Sequence, residues 1–222
     1  MNNSVTEISH PTLYSFRRCP YAMRARMALV INNVKVHLRE VILKDKPTSL
    51  ISYSPKGTVP VLITANNQVI EESREIMDWA LAQTSSAKFS APCDAQQDLI
   101  NTNDGEFKRY LDKYKYADRH PQHPQDYYRQ QGEKFLAQLE QHLSHQPFLF
   151  GHEMSYADIA IFPFVRQFAG VENGWFEQSN YLQLQQWLNY FLTSQQFKAA
   201  MKKYPQWHEN DPIITFPTDT AS

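Results

Sequence analysis

Thr12-Leu13-Tyr14-Ser15-Phe16-Arg17-Arg18-Cys19-Pro20-Tyr21 is the stretch that decides the fold. Its first half, Thr12 to Phe16, is aromatic and β-tolerant and reads as a short strand. Cys19-Pro20 then opens a helix. Proline suits the first helical position, where its missing N–H has no intrahelical partner to lose. The helix is expected to run to about Asn32, with Asn32-Asn33 stopping it. Outward from this unit the chain keeps alternating. Val36 to Leu43 reads as a second strand, and Lys46 to Ser54 as a short, poorly periodic segment. Val61 to Thr64 and Gln68 to Ile70 form a hairpin around Ala65-Asn66-Asn67. A helix is expected from about Ser73 to Ala82. The order β-α-β-(α)-β-β-α over residues 10–83 predicts a small sheet with helices packed on it.

The texture changes after Gln83. Residues 84–94 are rich in Ser, Ala and Pro and read as a linker. Residues 95–210 read as an all-helical domain. Leu99, Ile100, Asn103, Phe107, Tyr110, Leu111 and Tyr114 fall on one face of a long helix. Tyr128, Phe135, Leu139 and Leu143 mark a second helix, and Leu184, Trp187, Leu188 and Phe191 another. Between them, Ser155-Tyr156-Ala157-Asp158 is a capping box, in which each side chain can bond the other's backbone N–H. Ser155 and Asp158 are therefore assigned a structural role, starting a helix in the second domain's core.

Composition narrows the function. The 222 residues are 42% apolar and 13% aromatic, enough for two packed domains, and the formal net charge is -1. No basic field is present to hold nucleic acid or an acidic membrane. The longest apolar run is too short to span a bilayer, and Met1 to His10 lacks the apolar core of a signal peptide. The two cysteines, Cys19 and Cys93, make neither a disulfide framework nor a zinc spacing, so no metal is expected. A cytoplasmic, reducing location is the expectation.

Cys19 carries the chemistry. A thiol at a helix start faces unpaired N–H groups and the positive end of the dipole, and both favour thiolate. The dipole alone contributes about 0.3–1 kcal/mol, less than about one pKa unit. Direct N–H···S bonds or Arg17, Arg18 or Arg24 would have to supply the rest; these arginines and Arg26 can equally be solvated or paired with carboxylates. The bland alternative is an inert buried cysteine, but such residues sit among apolar neighbours rather than between Arg18 and Pro20. Ala22 stands where a dithiol redox protein carries its second cysteine. A mixed disulfide on Cys19 must then be released by an external thiol. Cys93 reads as an ordinary small side chain. Val59-Pro60 precedes a strand. A cis bond there would let Val59 pair with an extended peptide; a trans bond would make it a plain strand start. Glu71-Glu72-Ser73 opens the last helix of the first domain. Ser73 is a good cap, and Glu72 could hold an ammonium or simply favour the helix dipole.

In order and spacing, Leu13 to Tyr21, Lys56-Gly57-Thr58-Val59-Pro60-Val61-Leu62, Glu72-Ser73 and Ser155-x-x-Asp158 resemble the glutathione transferase superfamily, from about Pro11 to Trp207. Cys-Pro-Tyr at the first helix looks most like its cysteine-type branch, the omega-like transferases and larger glutaredoxins. The resemblance implies an α/β plus all-α chain: a thioredoxin-like N-terminal domain followed by a helical-bundle C-terminal domain. It implies glutathione as co-substrate, held by Lys46 at the glycyl carboxylate, Val59 and Pro60 at the cysteinyl backbone, and Glu72 and Ser73 at the γ-glutamyl head. Cys19 would face the glutathione sulfur. Arg17-Arg18 replace the serines of zeta-class isomerases, and Tyr14 is expected to pack rather than act. The implied activity is glutathione-dependent thiol transfer with a small-molecule or protein thiol or disulfide as partner, in a homodimer. Conventional conjugation, zeta-like isomerisation and a non-catalytic binding or adaptor role are the alternatives. Phe107, Tyr110, Tyr114, Phe164, Arg166, Gln167 and Trp175 are candidates for the second-substrate pocket. His120 and His123 read as surface residues.

Overall fold

The computed structural model describes residues 10–85 and 88–218. Residues 1–9, most of the polar N-terminal stretch, lie outside the described residues, as do Ser86 and Ala87 of the expected linker and the last four residues. The chain forms two compact units. Unit 1 runs to Gln83 and resumes at Ala199, and unit 2 is Thr84–Lys198.

Unit 1 begins with β1 (Thr12–Ser15), α1 (Pro20–Ile31), β2 (Val36–Glu40) and α2 (Thr48–Tyr53). It continues with β3 (Val61–Ile63), β4 (Val69–Ile70) and α3 (Ser73–Ala82). Helix α1 has Pro20 in its first turn and Asn32 at its C-cap, and Asn33 follows at φ 51°, a left-handed conformation that asparagine tolerates. Nearly all of α1 is buried, Arg24 and Arg26 included, so no amphipathic stripe marks it. The β3–β4 hairpin turns through Asn67 at φ 63°. Strand β1 pairs parallel with β2 and antiparallel with β3.

The sheet gains a strand that sequence patterning did not foresee. Strand β5 (Thr215–Phe216) pairs antiparallel with β2, with Val36 opposite Phe216, and completes the order β4-β3-β1-β2-β5. The expected helical domain extended to residue 210. The chain instead leaves unit 2 after Lys198 and runs back along unit 1. The expected second strand also ends at Glu40, because Ile42 and Asp45 close a small bridged turn.

Burial ties this C-terminal segment down. Arg26 is fully buried, and its Nη1 donates to Glu40 Oε2 at 2.7 Å. Its Nη2 donates to the Lys202 carbonyl at 3.3 Å, and its guanidinium stacks over Phe216 at 5.0 Å. Glu40 Oε1 accepts the Arg17 N–H at 2.7 Å. Nearby, Trp207 N–H donates to the Glu40 carbonyl at 2.8 Å. The Trp207 ring packs in a cluster with Tyr14, Val41, Leu50, Val59, Val61 and Ile63.

Unit 2 is helical: α4 (Asp94–Thr102), α5 (Lys108–Lys115), α6 (Gln125–Leu143), α7 (Tyr156–Ala169), α8 (Asn173–Gln178), α9 (Leu182–Thr193) and the start of α10 (Gln195–Ala200). The expected single helix through residues 99–114 is α4 and α5 joined by a π-helical turn, Asn103–Phe107. Helix α7 is capped by reciprocal bonds: Asp158 N–H donates to Ser155 Oγ, and Ser155 N–H to Asp158 Oδ2 at 2.8 Å. Asp158 is fully buried and also accepts from Leu149 N at 3.0 Å and Trp187 Nε1 at 2.7 Å. Helix α6 approaches α7 at Gly132, where a Cβ would sit 2.4 Å from the Phe168 ring.

Candidate functional site

Cys19 is the N-cap of α1, with extended backbone angles (φ -75°, ψ 125°). Its N–H donates to the Phe16 carbonyl and its own carbonyl accepts from Met23, each at 2.9 Å. Pro20 has no N–H, so the first-turn amides facing the cap belong to Tyr21 and Ala22. The half-buried thiol packs against the cluster that holds Val59 and Trp207, and Sγ donates to the Val59 carbonyl at 3.6 Å. The Val59–Pro60 bond, left open by the sequence, is cis.

The arginines are largely committed to the fold. Arg26 is held by Glu40. Burial pulls its guanidinium below the ordinary range and Glu40 pulls it back up. Arg24 is buried, its Nε–H donates to Ser73 Oγ at 2.9 Å, and it stacks over Tyr21 at 5.1 Å. Arg17 reaches the Met201 carbonyl at 3.5 Å. Arg18 is exposed, with its guanidinium 5.6 Å from the Phe16 ring centre.

Ser73 was expected to cap α3. The N-cap is Glu72; Ser73 is the first helical residue, is buried, and accepts the Arg24 bond that joins α1 to α3. The Glu72 carboxylate is exposed and lies 3.5 Å from Lys56 Nζ, which also lies 3.6 Å from Glu71. Glu71 turns inward to accept from Ser54 Oγ at 2.6 Å. Exposed Lys46 lies over Gly57, where φ is +59° and a Cβ would sit 3.4 Å from Lys46 Nζ and 2.9 Å from Ile51. A side chain at residue 57 would thus be strained and would crowd the lysine. The fold therefore brings Cys19 to Val59 and Lys46 to Gly57, two residues earlier. Tyr14 is fully buried, donates to Ser49 Oγ at 3.0 Å and accepts from Arg39.

The pocket candidates of unit 2 divide by burial. Phe107 and Phe164 are buried core, and Phe107 packs against Phe135 and Phe168 at 4.8 and 5.4 Å. Tyr114 is also buried, its hydroxyl donating to Glu172 Oε2 at 2.7 Å. Burial and that bond push the Tyr114 phenol well above its ordinary range, and the same bond, with Arg129, holds Glu172 low. Tyr110, Arg166, Gln167 and Trp175 are half-buried. Trp175 lies under Arg129 at 4.8 Å, and Arg166 lies over Phe197 at 5.5 Å. His120 and His123 sit in the turn before α6, where His123 stacks on Tyr127. Among the described residues no group of three or more His, Cys, Asp or Glu side chains could hold a metal ion, and no helix is long and apolar enough to cross a membrane.

Local sequence pattern holds no direct cue to the Arg26–Glu40 pair, Trp207 or Gln206. The only available signal was the β-tolerant run Ile213-Ile214-Thr215-Phe216.

The glutathione S-transferase N-terminal domain profile fits residues 13–88, and the C-terminal domain profile fits residues 97–209. The chain belongs to the glutathione S-transferase family. Its fold is that of the family, a thioredoxin-like mixed sheet followed by a helical domain. Rat glutathione S-transferase omega-2 is 38% identical over 61 residues, 28% of this chain and 25% of that protein. Rat omega-1 is 24% identical over 198 residues, 87% of this chain and 77% of that one. The chain matches only about a quarter of the length of the omega-2 relative. A glutathione transferase family member from Pseudomonas fluorescens, solved with two glutathione bound, superposes with TM-score 0.75 at 16% identity, over 89% of this chain and 95% of that one. A Pseudomonas putida glutathione transferase, solved with one glutathione disulfide per subunit, superposes with TM-score 0.72 at 20% identity, over 90% and 94%.

Proposed function

We propose that this glutathione S-transferase family member is a glutathione-dependent thiol transferase working through Cys19 alone. One observation carries the reading. The Cys19 thiol caps the start of α1 beside the Val59 backbone, and Ala22 stands where a resolving cysteine would be. Neither Cys19 nor Cys93 is in a disulfide, which suits a reducing, cytoplasmic setting. Glutathione would lie with its cysteinyl backbone along Val59, its γ-glutamyl head at Glu72 and the start of α3, and its glycyl end at Lys46. Ser73 Oγ accepts from Arg24 and keeps its own O–H to donate, so the head-group carboxylate would draw on that hydroxyl and on backbone N–H at the helix start.

The reaction has two exchanges. The Cys19 thiolate attacks the glutathionyl sulfur of a mixed disulfide, forming a Cys19–glutathione disulfide and breaking the substrate's S–S bond. The substrate leaves as a thiolate and takes a proton from solvent. The thiolate of a second glutathione then attacks the bound glutathionyl sulfur, releasing glutathione disulfide and regenerating the Cys19 thiolate. Exchange needs a thiolate that forms near neutral pH, which a helix start favours.

Cys19→Ser tests this. It should abolish reduction of a glutathionylated substrate, whereas Cys93→Ser should leave the rate nearly intact. The rate of Cys19 alkylation against pH should inflect below about 7.5, compared with about 8.5 for a free thiol. If Cys19→Ser keeps thiol transfer, the reading fails. If it gains conjugating activity, a conventional transferase replaces it.

A further inference from the structure

We infer that the C-terminal segment supplies one wall of the subsite for a peptide α-carboxylate, with Gln206 as the residue that positions Lys46. This rests on the placement of the glycyl end at Lys46 proposed above. A cavity of about 220 Å³ opens in unit 1 between two stretches far apart in sequence, Asp45-Lys46-Pro47-Thr48 and Gln206-Trp207-His208-Glu209.

The second wall is firmly anchored. Trp207 N–H donates to the Glu40 carbonyl at 2.8 Å, and its indole is buried in the cluster that also receives Val59 and Cys19. The Arg39 guanidinium stacks on that indole at 4.0 Å. The segment that flanks Lys46 thus reaches, through one side chain, the cluster that receives the reactive thiol.

Charge makes Gln206 matter. Lys46 is the cation of the cavity and the exposed His208 can add a donor, but Asp45 and Glu209 line it too. A carboxylate ligand would meet repulsion from a bare Asp45. Gln206 Nε2 donates to Asp45 Oδ2 at 2.8 Å and approaches the Asp45 carbonyl at 3.5 Å. One amide therefore occupies the acidic oxygen and fixes the backbone just before Lys46. The Asp45 N–H is held from the other side by the Ile42 carbonyl at 2.9 Å. With Gln206 removed, Asp45 is loosened and its charge faces the ligand carboxylate.

Titration calorimetry with glutathione and with γ-glutamylcysteine, which lacks the glycine, tests this in the full chain. The wild type should prefer glutathione. Gln206→Ala should weaken glutathione roughly three- to tenfold, the scale of one hydrogen bond, while leaving γ-glutamylcysteine unchanged. Adding Asp45→Asn should restore most of the loss, because the repelling charge is gone. Lys46→Ala should remove the preference. If Lys46→Ala keeps the preference, the glycyl end has been misplaced and the inference falls with it. If Lys46→Ala removes the preference but Gln206→Ala retains it, the role of the C-terminal wall alone is overturned. Equal weakening of both ligands by Gln206→Ala overturns it too, since that marks a general structural loss.

Discussion

Replacing Glu40 with Leu should cost unit 1 a large share of its stability, and the size of the loss follows from what would be left behind. Arg26 is completely buried, and Glu40 is the acid paired with it at 2.7 Å. Its other hydrogen-bond and ring partners are neutral: the Lys202 carbonyl at 3.3 Å, Ser15 Oγ at 3.5 Å and the Phe216 ring at 5.0 Å, and among the described residues its Nε has no hydrogen-bond partner. Breaking a buried pair from one side leaves an uncompensated charge and costs about 3–5 kcal/mol. With a slope of about 2 kcal/mol per molar urea, the midpoint should fall by about 1.5–2.5 M. The same substitution orphans the Arg17 N–H, now bonded to Glu40 Oε1. Because Arg26 also holds the Lys202 carbonyl and the β5 ring, proteolysis should cut first near Lys202 and Lys203. The control is Arg26→Met combined with Glu40→Leu, which removes both charges and should recover most of the loss. A single-variant shift below about 1 kcal/mol would refute the argument, and so would a double variant less stable than Glu40→Leu.

Two further outcomes are expected in unit 2. Asp158→Ala should destabilise it by about 3 kcal/mol, beyond the 0.5–2 kcal/mol of a lost cap, because the Leu149 and Trp187 donors lose their buried acceptor; Asp158→Asn should lose less, and equal urea midpoints for Asp158→Ala and wild type would discount the network. The Tyr181 phenol is pushed up to about 12 by burial and by Glu133, against about 10 in an unfolded chain, so the folded state holds a proton that the unfolded state gives up; stability present below pH 10 should drain away between about pH 10 and 12, and Tyr181→Phe should flatten that decline in alkaline urea titrations, an unchanged slope counting against the assignment.

The parts of the fold that were legible in sequence are those whose causes are local. Pro20 in the first turn of α1, the asparagines at positive φ after α1 and in the β3–β4 hairpin, and the Ser155–Asp158 box each act within a few residues. What escaped depends on distant partners. Strand β5 is two residues long and exists only because β2, about 180 residues earlier, offers an edge. Arg26 lies in a helix buried almost all round, where a lone arginine gives no periodic signal and its acid is on another strand. Burial also separates Phe107 and Tyr114, which are core, from Tyr110 and Trp175, which keep some exposure, although all four are aromatic and lie in the helical half. The π-helical turn shifts the helix face partway along, which an even 3.6-residue repeat does not register.

The commitment of the arginines bears on how Cys19 would be activated. Arg17, Arg24 and Arg26 are bonded to Met201, Ser73 and Glu40, so the fold spends on packing the charges that sequence proximity offered to the thiol. The helix start remains, with the Tyr21 and Ala22 amides, and exposed Arg18. The thiol also has a counterweight: while protonated, it donates to the Val59 carbonyl. A thiolate has no proton to donate, so ionisation must break that bond and leave the carbonyl seeking a donor. In the proposed complex the cysteinyl N–H of glutathione is such a donor, pairing with Val59 as an added strand would. Ligand binding at Val59 and ionisation at Cys19 would then favour one another, because each removes the bond that opposes the other. Glutathione or a glutathionylated substrate at Val59 would thereby favour the thiolate further, beyond what the helix start supplies by itself.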